Sequence, residues 1–132
     1  METPRSVSVE IYESPVQVGQ DKYRLAFIGQ FPAEKNRQSR GTKKKHLGAF
    51  QTTMRNLSNK EVARAFRQLF KVISLVERVR NPEASPRIKE IKTDNLDCFT
   101  CRQFRNVVRE LRLAHTIVVT DFDYSEYTFE DV

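Results

Sequence analysis

The N-terminal part of the chain alternates apolar and polar residues, a pattern typical of β-strands with one buried face. Residues 6–12 and residues 22–28 both follow it, and Pro15 and Gly19 interrupt the chain between them. The positions on the buried side are Val7, Val9, Ile11, Tyr23, Leu25 and Phe27. We therefore expect two strands that form an antiparallel hairpin with a long connecting loop.

Apolar residues then recur at helical spacing over residues 57–80, which predicts a long amphipathic helix. Ser58 and Glu61 are spaced as a capping box, in which each side chain bonds the backbone N–H of the other. Leu57 and Val62 flank this box as a hydrophobic staple. The apolar face comprises Val62, Phe66, Leu69, Phe70, Ile73 and Val76. An Asn-Pro pair directly after residue 80 ends the predicted helix, since proline disfavours helical backbone in the residue before it.

The same N-terminal pattern recurs at a second helix, which is predicted to run from residue 100 to about residue 113. Thr100 and Gln103 are spaced as another capping box. Phe99 and Phe104 flank this box as a staple. The apolar face of the second helix comprises Phe104, Val107, Val108 and Leu111.

Three further stretches favour strands. Residues 47–54 alternate, and residues 87–92 are short and charged, which suggests a weak edge strand. The apolar run within residues 115–122 is typical of an interior strand buried on both faces. A chain of 132 residues has the length of one domain. The pattern thus predicts a single α+β domain over residues 1–132, with a small mixed or antiparallel sheet and two amphipathic helices packed on one face.

Basic residues follow a pattern of their own. On both predicted helices they recur within arcs of about 60° and 80° that lie away from the apolar faces. Residues 33–45 carry six bases and one acid, and no apolar residue beyond Ala33, which predicts a mobile basic loop. The candidate nucleic-acid-binding residues are Lys35, Arg37, Arg40, Lys43, Lys44, Lys45, Lys60, Arg64, Arg67, Lys71, Arg78, Arg102, Arg105, Arg109 and Arg112. A solvated charged surface, or a localisation signal in the loop, is the alternative interpretation.

The net charge of +6 conceals an asymmetry along the chain. The acidic C-terminal segment, residues 121–132, holds five acids and no base, and removing those five negative charges leaves +11 on residues 1–120. Such an excess favours an anionic partner, either nucleic acid or an acidic membrane surface. The chain lacks an apolar run near the ~20 residues that span a bilayer. Its N-terminus also lacks the pattern of a signal peptide, so we expect a cytoplasmic or nuclear protein.

Two small clusters of reactive side chains suggest other chemistry. Cys98 and Cys101 are spaced as in redox and zinc motifs, but their surroundings resemble neither, so two reduced thiols are the expectation. Asp121 and Asp123 follow the last apolar strand, where paired carboxylates can hold Mg²⁺, with Asp94 and Asp97 as further candidates. With four glycines, two histidines and no phosphate loop or nucleophile elbow, the sequence predicts a non-enzymatic protein without cofactor or resident metal.

The sequence therefore predicts a small non-enzymatic protein that binds the backbone phosphates of RNA or DNA through its basic helix faces and basic loop. A second hypothesis is an interaction or matrix-like protein, of the kind found among viral accessory proteins, that docks on acidic membrane or protein surfaces. Association of the acidic tail with a basic face would make it a homo-oligomer. The third hypothesis is a metal-dependent nuclease that uses Asp121 and Asp123.

Overall fold

The computed structural model describes residues 5–18, 21–30, 47–80, 87–119 and 129–131. The elements are β1 (Arg5–Val18), β2 (Asp21–Gln30), β3 (Leu47–Met54), α1 (Asn59–Arg80), β4 (Ile88–Thr93), α2 (Asp97–Thr100), α3 (Arg102–Glu110), β5 (Ala114–Ile117) and β6 (Phe129–Asp131). The predicted succession of strands and helices is confirmed, and the structure adds the short α2 and the short β6. The predicted loop at residues 33–45 lies outside the described residues.

The described strands form one mixed sheet with the order β5-β4-β1-β2-β3-β6. The first three strands of the chain are antiparallel neighbours, whereas β4 lies parallel to β1, β5 parallel to β4, and β6 parallel to β3. β1 is therefore an interior strand with an antiparallel neighbour on one side and a parallel neighbour on the other. Because β6 belongs to the acidic C-terminal segment, part of that segment packs against the sheet.

The helices pack on one face of this sheet. A single buried core joins the inward positions of the strands to the apolar faces of the helices and includes Val7, Val9, Leu25, Phe27, Phe50, Met54, Val62, Phe66, Leu69, Ile73, Ile91, Phe99, Phe104 and Val108. α1 and α3 touch through Phe66 and Phe104, whose ring centroids are 4.7 Å apart. The predicted α+β class, with two amphipathic helices on one face of a mixed sheet, is confirmed.

The structure reverses the predicted places of β4 and β5. The charged β4, predicted as an edge strand, lies between β1 and β5, and its Ile91 and Thr93 are fully buried. The more apolar β5, predicted as an interior strand, stands last in the order of the described strands, and its Ile117 is half exposed. The prediction failed because much of the apolar run lies beyond the end of β5, where Val119 is fully exposed.

β1 continues past the break that Pro15 was expected to make. Its pairing with β2 is regular as far as Glu13. After an irregular stretch, the pairing resumes with Val18 opposite Asp21. The irregularity falls where Pro15 lacks the N–H donor that a regular ladder requires. The connection between β1 and β2 is therefore short rather than the predicted long loop.

The N-terminus of α1 contains half of the predicted capping box. The backbone N–H of Glu61 donates to Oγ of Ser58 across 3.2 Å, as expected. The backbone N–H of Ser58 donates instead to Oδ1 of Asn56 across 2.9 Å. The Glu61 carboxylate, which was expected to take that bond, accepts from the guanidinium of Arg64. Ser58 thus caps the helix, while the Glu61 side chain forms an ion pair with Arg64 and takes no part in the cap.

The N-cap of α3 lies one residue later than predicted. Thr100 belongs to α2, where its hydroxyl donates to the carbonyl of Leu96 across 3.4 Å. The N-cap of α3 is Cys101, whose Sγ accepts from the backbone N–H of Phe104 across 3.4 Å. The predicted box of Thr100 and Gln103 is therefore wrong, because the chain uses Thr100 to close the preceding helical turn.

α3 ends at Glu110, before the predicted residue 113. The backbone N–H of Arg112 donates to the carbonyl of Arg109, and the backbone N–H of Leu113 donates to the carbonyl of Val108, both across 3.1 Å. These two bonds form a Schellman motif. The motif places Arg112 at φ 56°, a left-handed conformation in which glycine is the usual residue.

Candidate nucleic-acid interface and carboxylate pair

The basic residues of α1 lie on the side of the helix away from the sheet. Lys60, Arg64, Arg67, Lys71 and Arg78 are all exposed. Helical spacing explains this, because it sets the basic positions roughly opposite the buried apolar ones. The guanidinium of Arg64 also donates to the carboxylate of Glu61, which lowers the pKa of Glu61 and raises that of Arg64.

The basic residues of α3 lie on its outer side as well. Arg102, Arg105 and Arg109 are exposed, and so is Arg112 beyond the helix end. α1 and α3 are neighbours in one layer, and Nη2 of Arg67 donates to Oε1 of Glu110 across 2.7 Å. We refer to the nine exposed bases Lys60, Arg64, Arg67, Lys71, Arg78, Arg102, Arg105, Arg109 and Arg112 as the basic helix face.

Most of the basic helix face lacks an acidic partner. Within the described ranges, Arg64 and Arg67 are the only two of its nine residues that form ion pairs. The other bases project from the helices into solvent, where an anionic ligand can reach them. The six predicted loop bases, Lys35, Arg37, Arg40, Lys43, Lys44 and Lys45, lie outside the described residues.

A second candidate site lies where β1 and β4 run in parallel. Ser8 of β1 lies opposite Lys92 of β4. Glu10 and Asp94 stand two residues further along the two chain segments. Continued by two residues beyond Ser8 and Lys92, the last recorded pair, this register sets the two positions at the same level. The sequence had suggested Asp94 only as a companion of Asp121, and it gave no sign of Glu10, since only the pairing of β1 with β4 relates the two positions.

Glu10 is buried on the face of the sheet away from the helices. It is 5% exposed, and its neighbour Val9 belongs to the helix-side core, so alternation along β1 turns Glu10 to the other face. Arg24 of β2 is 6% exposed and stands diagonally across from Glu10, because Ala26 is the residue opposite Glu10. Diagonal neighbours on one face are within reach of long side chains. The guanidinium of Arg24 is therefore within reach of Glu10.

Asp94 follows the last residue of β4, and both its side chain and its backbone carbonyl accept hydrogen bonds. Its Oδ1 accepts from the backbone N–H of Leu96 across 3.0 Å, a turn that aspartate favours. Its carbonyl oxygen accepts from Oγ1 of Thr93 across 2.8 Å. Oγ1 of Thr93 also lies 2.7 Å from Nε2 of His115 on β5. Burial lowers the pKa of His115, which favours its neutral form.

Cys98 and Cys101 are free thiols in different settings. Cys98 is buried in α2, and this burial raises the pKa of its thiol to about 11, with a smaller contribution from the carboxylate of Asp94. Cys101 caps α3. Reactive and metal-bound cysteines have lowered pKa values, so Cys98 has the properties of a structural thiol. The prediction of two reduced thiols agrees with this arrangement.

The described residues contain no group of three or more His, Cys, Asp or Glu side chains suited to a metal ion. Asp121 and Asp123, the acids of the nuclease hypothesis, lie outside those residues. In the part of the chain that the structure describes, no helix has both the length and the apolar character needed to cross a bilayer.

The fold resembles the catalytic cores of retroviral integrases. The catalytic core domain of BIV integrase aligns with a TM-score of 0.51 and 12% identity, over 92% of this chain and 59% of that one. A simian T-cell lymphotropic virus intasome in complex with PP2A regulatory subunit B56 gamma aligns with a TM-score of 0.55 and 13% identity, over 88% of this chain and 32% of that one. The chain thus spans less than two thirds of either relative. No protein-family model matches the chain, and no curated protein matches it significantly.

This resemblance overturns the prediction of a non-enzymatic protein, because the fold is one on which catalytic cores are built. The prediction was wrong because it rested on two missing motifs, a phosphate-binding loop and a nucleophile elbow, and on the small numbers of glycines and histidines. Chemistry that depends on carboxylates from separate parts of the chain requires none of those features. Their absence therefore did not show that the chain lacks catalytic activity.

Proposed function

We propose that the chain binds nucleic acid through the basic helix face. The observation that carries the proposal is the exposure of these nine bases, eight on two adjoining helices and Arg112 just beyond α3. Seven of them lack an ion-pair partner among the described residues. The four bases of the basic helix face on and just after α3 are all arginines. The planar guanidinium of arginine suits bidentate contact with phosphate. The likeness to an integrase core and to an intasome supports a nucleic-acid partner and a viral origin.

The dependence of affinity on salt tests this proposal. A labelled duplex DNA and a labelled single-stranded RNA are titrated with the protein by fluorescence anisotropy at salt concentrations from about 50 to 200 mM. Each phosphate that a base neutralises releases condensed counterions, so log affinity should fall linearly against log salt. Comparison of the two ligands distinguishes DNA from RNA. An affinity that does not respond to salt would contradict the proposal.

Two triple variants with the same change in charge separate the basic helix face from total charge. The first changes Arg102, Arg105 and Arg109 to Gln. The second changes three exposed bases outside the basic helix face, Arg55, Arg87 and Lys89, to Gln. The first variant should reduce the salt slope by about one unit for each phosphate that the protein no longer neutralises. The second should leave the slope close to that of the unmodified chain. Equal reductions would mean that only total charge matters.

Vesicles provide a third ligand, which tests docking on an acidic membrane. Vesicles of phosphatidylserine and phosphatidylcholine attract basic surfaces by about 1 kcal/mol for each nearby base. We expect them to bind more weakly than nucleic acid of equal phosphate concentration, because a flat, fluid surface does not match a ridge of arginines on two helices. Stronger binding to vesicles than to both nucleic acids would favour the interaction-protein hypothesis instead.

A second candidate function is metal-assisted phosphodiester chemistry at Glu10 and Asp94. The observation that favours it is the parallel register of β1 and β4, which, continued two residues beyond Ser8 and Lys92, sets the two positions level. Carboxylate oxygens are the ligands that Mg²⁺ and Mn²⁺ prefer. This candidate replaces Asp121 and Asp123 by one acid on β1 and one directly after β4.

Two carboxylates are enough ligands for such a cation. Mg²⁺ usually keeps several waters and is held by one or two carboxylates together with substrate phosphates, so a third protein ligand is not required. A bound cation would polarise a phosphodiester oxygen and generate a nucleophilic water. The chain's own contribution is to hold Glu10 on an interior strand and Asp94 in a hydrogen-bonded turn. Because Arg24 lies within reach of Glu10, we assign the larger part of cation binding to Asp94.

Single substitutions that keep side-chain size test the second candidate. Asp94→Asn should weaken Mn²⁺ binding, measured by calorimetry, by at least about tenfold, and Glu10→Gln should weaken it less. Mn²⁺-dependent nicking of a supercoiled plasmid should be abolished in both variants. Asp97→Asn is the matched control, because Asp97 is an exposed acid three residues from Asp94. Wild-type binding in Asp94→Asn would contradict the metal site.

A further inference from the structure

The two end strands of the described sheet differ in their charge. At one end lies β6, in which two of the three residues are the acids Glu130 and Asp131. At the other end lies β5, whose C-terminal half and the residues after it read TIVVT over residues 116–120. This run contains no charge and no proline, and all of its residues are β-branched. Edge strands usually carry charges, prolines or bulges that prevent pairing with other chains. β6 has such charges, whereas β5 lacks them.

The outer side of β5 presents a defined set of backbone groups. Thr93 of β4 lies opposite Ile117, and its carbonyl accepts from the backbone N–H of Val118 across 2.9 Å. Successive residues of a strand turn their N–H and C=O groups to opposite sides. The groups of Val118 therefore point to β4, and those of Ile117 and Val119 point away from it. Among the described strands only β4 pairs with β5, so this outer side offers donors and acceptors to a further strand.

Apolar side chains accompany these outward backbone groups. Alternation along the strand places His115, Ile117 and Val119 on one face. The ring of His115 packs against Phe104 on α3, with centroids 5.4 Å apart. Ile117, by contrast, is 51% exposed and Val119 is fully exposed. Backbone groups at a free edge are already hydrated, so their pairing alone drives association weakly, and burial of these side chains supplies the additional driving force.

The charges around β5 favour a second copy of the same chain as the partner strand. In the sequence, Arg109 and Arg112 precede β5, and Asp121 and Asp123 follow it. Antiparallel pairing of two copies brings the basic end of one strand to the acidic end of the other. Parallel pairing would bring like charges together, which is destabilising. Charge complementarity therefore selects the antiparallel arrangement.

The backbone groups also limit the register of such a pair. In an antiparallel ladder, two residues that exchange both hydrogen bonds lie directly opposite each other. A residue whose groups point outward must therefore face another residue of the same kind. This condition is met when Ile117 lies opposite Ile117 of the second copy, and His115 opposite Val119. A shift by one residue would set outward groups against inward ones.

We propose that β5 is a homodimer interface, in which two copies pair antiparallel about a two-fold axis at Ile117. The axis is perpendicular to the sheet, so the two sheets join into one and the helices of both copies lie on the same side of it. The basic helix faces of the two copies are then directed to one side of the dimer. A pair of short strands buries less surface than a stable dimer needs, so the association is weak and depends on concentration.

Sedimentation velocity over a series of protein concentrations tests the interface in the 132-residue chain. Moderate salt is used, because it screens the repulsion between two chains of net charge +6. We expect the fraction of dimer to rise with concentration. Ile117→Lys sets like charges directly opposite each other and should weaken dimerisation about tenfold or more. Val79→Lys is the matched control, because it adds the same charge at an aliphatic residue of α1 that is 83% exposed. It should dimerise like the unmodified chain.

Hydrogen exchange of single amides tests the register independently of any substitution. The amides of Ile117 and Val119 should exchange at least about tenfold more slowly in the dimer than in the monomer, because they gain partners only on pairing. The amide of Val118 donates to Thr93 in each copy, so its exchange should not depend on dimerisation. In Ile117→Lys, the dependence of Val119 exchange on concentration should be lost.

Three results would overturn the inference. The first is a chain that stays monomeric at every concentration, including one that binds other extended peptides at this edge. The second is a dimer in which exchange at Ile117 and Val119 is unchanged. The third is equal weakening by Ile117→Lys and Val79→Lys, which would assign the effect to net charge. Thermal unfolding establishes that both variants fold; if Ile117→Lys does not, the exchange measurement on the unmodified chain decides.

Discussion

Arg67 on α1 donates a hydrogen bond to Glu110 on α3 across 2.7 Å, and both side chains remain about half exposed. The pair links the two helices that carry the basic helix face, and it neutralises one base within that face. An exposed ion pair contributes only about 0–1 kcal/mol to stability. The larger effect of Glu110 is therefore on the charge that an anionic ligand meets.

Glu110→Gln should strengthen polyanion binding. The substitution releases Arg67 for a phosphate, so the salt slope should steepen by up to about one unit, while the free energy of unfolding changes by no more than about 1 kcal/mol. Anisotropy titrations and chemical denaturation measure the two quantities. Asp97→Asn raises the net charge equally at an acid outside this pair. An equal gain in polyanion affinity in Asp97→Asn would show that net charge, and not the release of Arg67, causes the effect.

Arg112→Gly should stabilise the fold. A left-handed backbone costs an L-residue about 1–2 kcal/mol, and glycine avoids that cost while losing about 0.5–1 kcal/mol in chain entropy. Relative to Arg112→Ala, which removes the same charge but keeps the strain at φ 56°, we expect a gain of roughly 0.5–1 kcal/mol in the free energy of unfolding. Urea denaturation measures it. Equal stability of the two variants would mean that the backbone relaxes at this residue.

Gly29→Ala should destabilise the hairpin of β1 and β2. A Cβ at Gly29 would lie 3.0 Å from Cγ1 of Val7 and 3.5 Å from its Cα. Overpacking of this kind costs about 1–3 kcal/mol. Because Val7→Ala removes the closer atom, the double variant should be less destabilised than the sum of the two single variants, by about 1 kcal/mol or more. Strict additivity in denaturation experiments would count against a direct clash.

Cys98 should make stability fall at alkaline pH. Its folded pKa of about 11 exceeds the ordinary value of 9.0, so between these values the unfolded thiol loses its proton while the folded thiol keeps it. The unfolded state then binds fewer protons, and the free energy of unfolding drops by at most about 1.4 kcal/mol per pH unit. Below pH 9 the contribution is fully present. The difference between the unmodified chain and Cys98→Ala, followed by denaturation from about pH 8 to 11, isolates this effect; a constant difference would refute it.

Sequence patterns over a few neighbouring residues predicted the strands and helices, because those elements depend mainly on neighbouring residues. The alternation around Val7 and Leu25 and the helical spacing around Phe66 each concern a few neighbouring residues, and the elements they predict are present. The failures at the ends of α3 have an equally local cause. Cys101 took the cap expected of Thr100, because the preceding residues form a helical turn of their own.

Strand order and the carboxylate pair could not be predicted in this way. Whether β4 is an edge or an interior strand depends on its parallel pairing with β1, which joins Ser6 to Glu90. The same pairing is the only feature that relates Glu10 to Asp94, and no pattern of neighbouring residues reveals it. By contrast, the basic positions of the two helices were predicted from spacing alone, and each is exposed, because solvent exposure on a helix follows from its own apolar face. Their contact with phosphate remains a prediction.

The interior place of β1 has a consequence for the order of events during synthesis. β1 leaves the ribosome before the other described strands, but its parallel neighbour β4 follows only after β3 and α1. At roughly 5–20 residues per second, the wait lasts on the order of several seconds. During that time one edge of β1 presents backbone donors and acceptors that another nascent chain can pair with. The arrival of β4 closes this edge, so the β1 edge is open to other chains for as long as synthesis takes to reach β4.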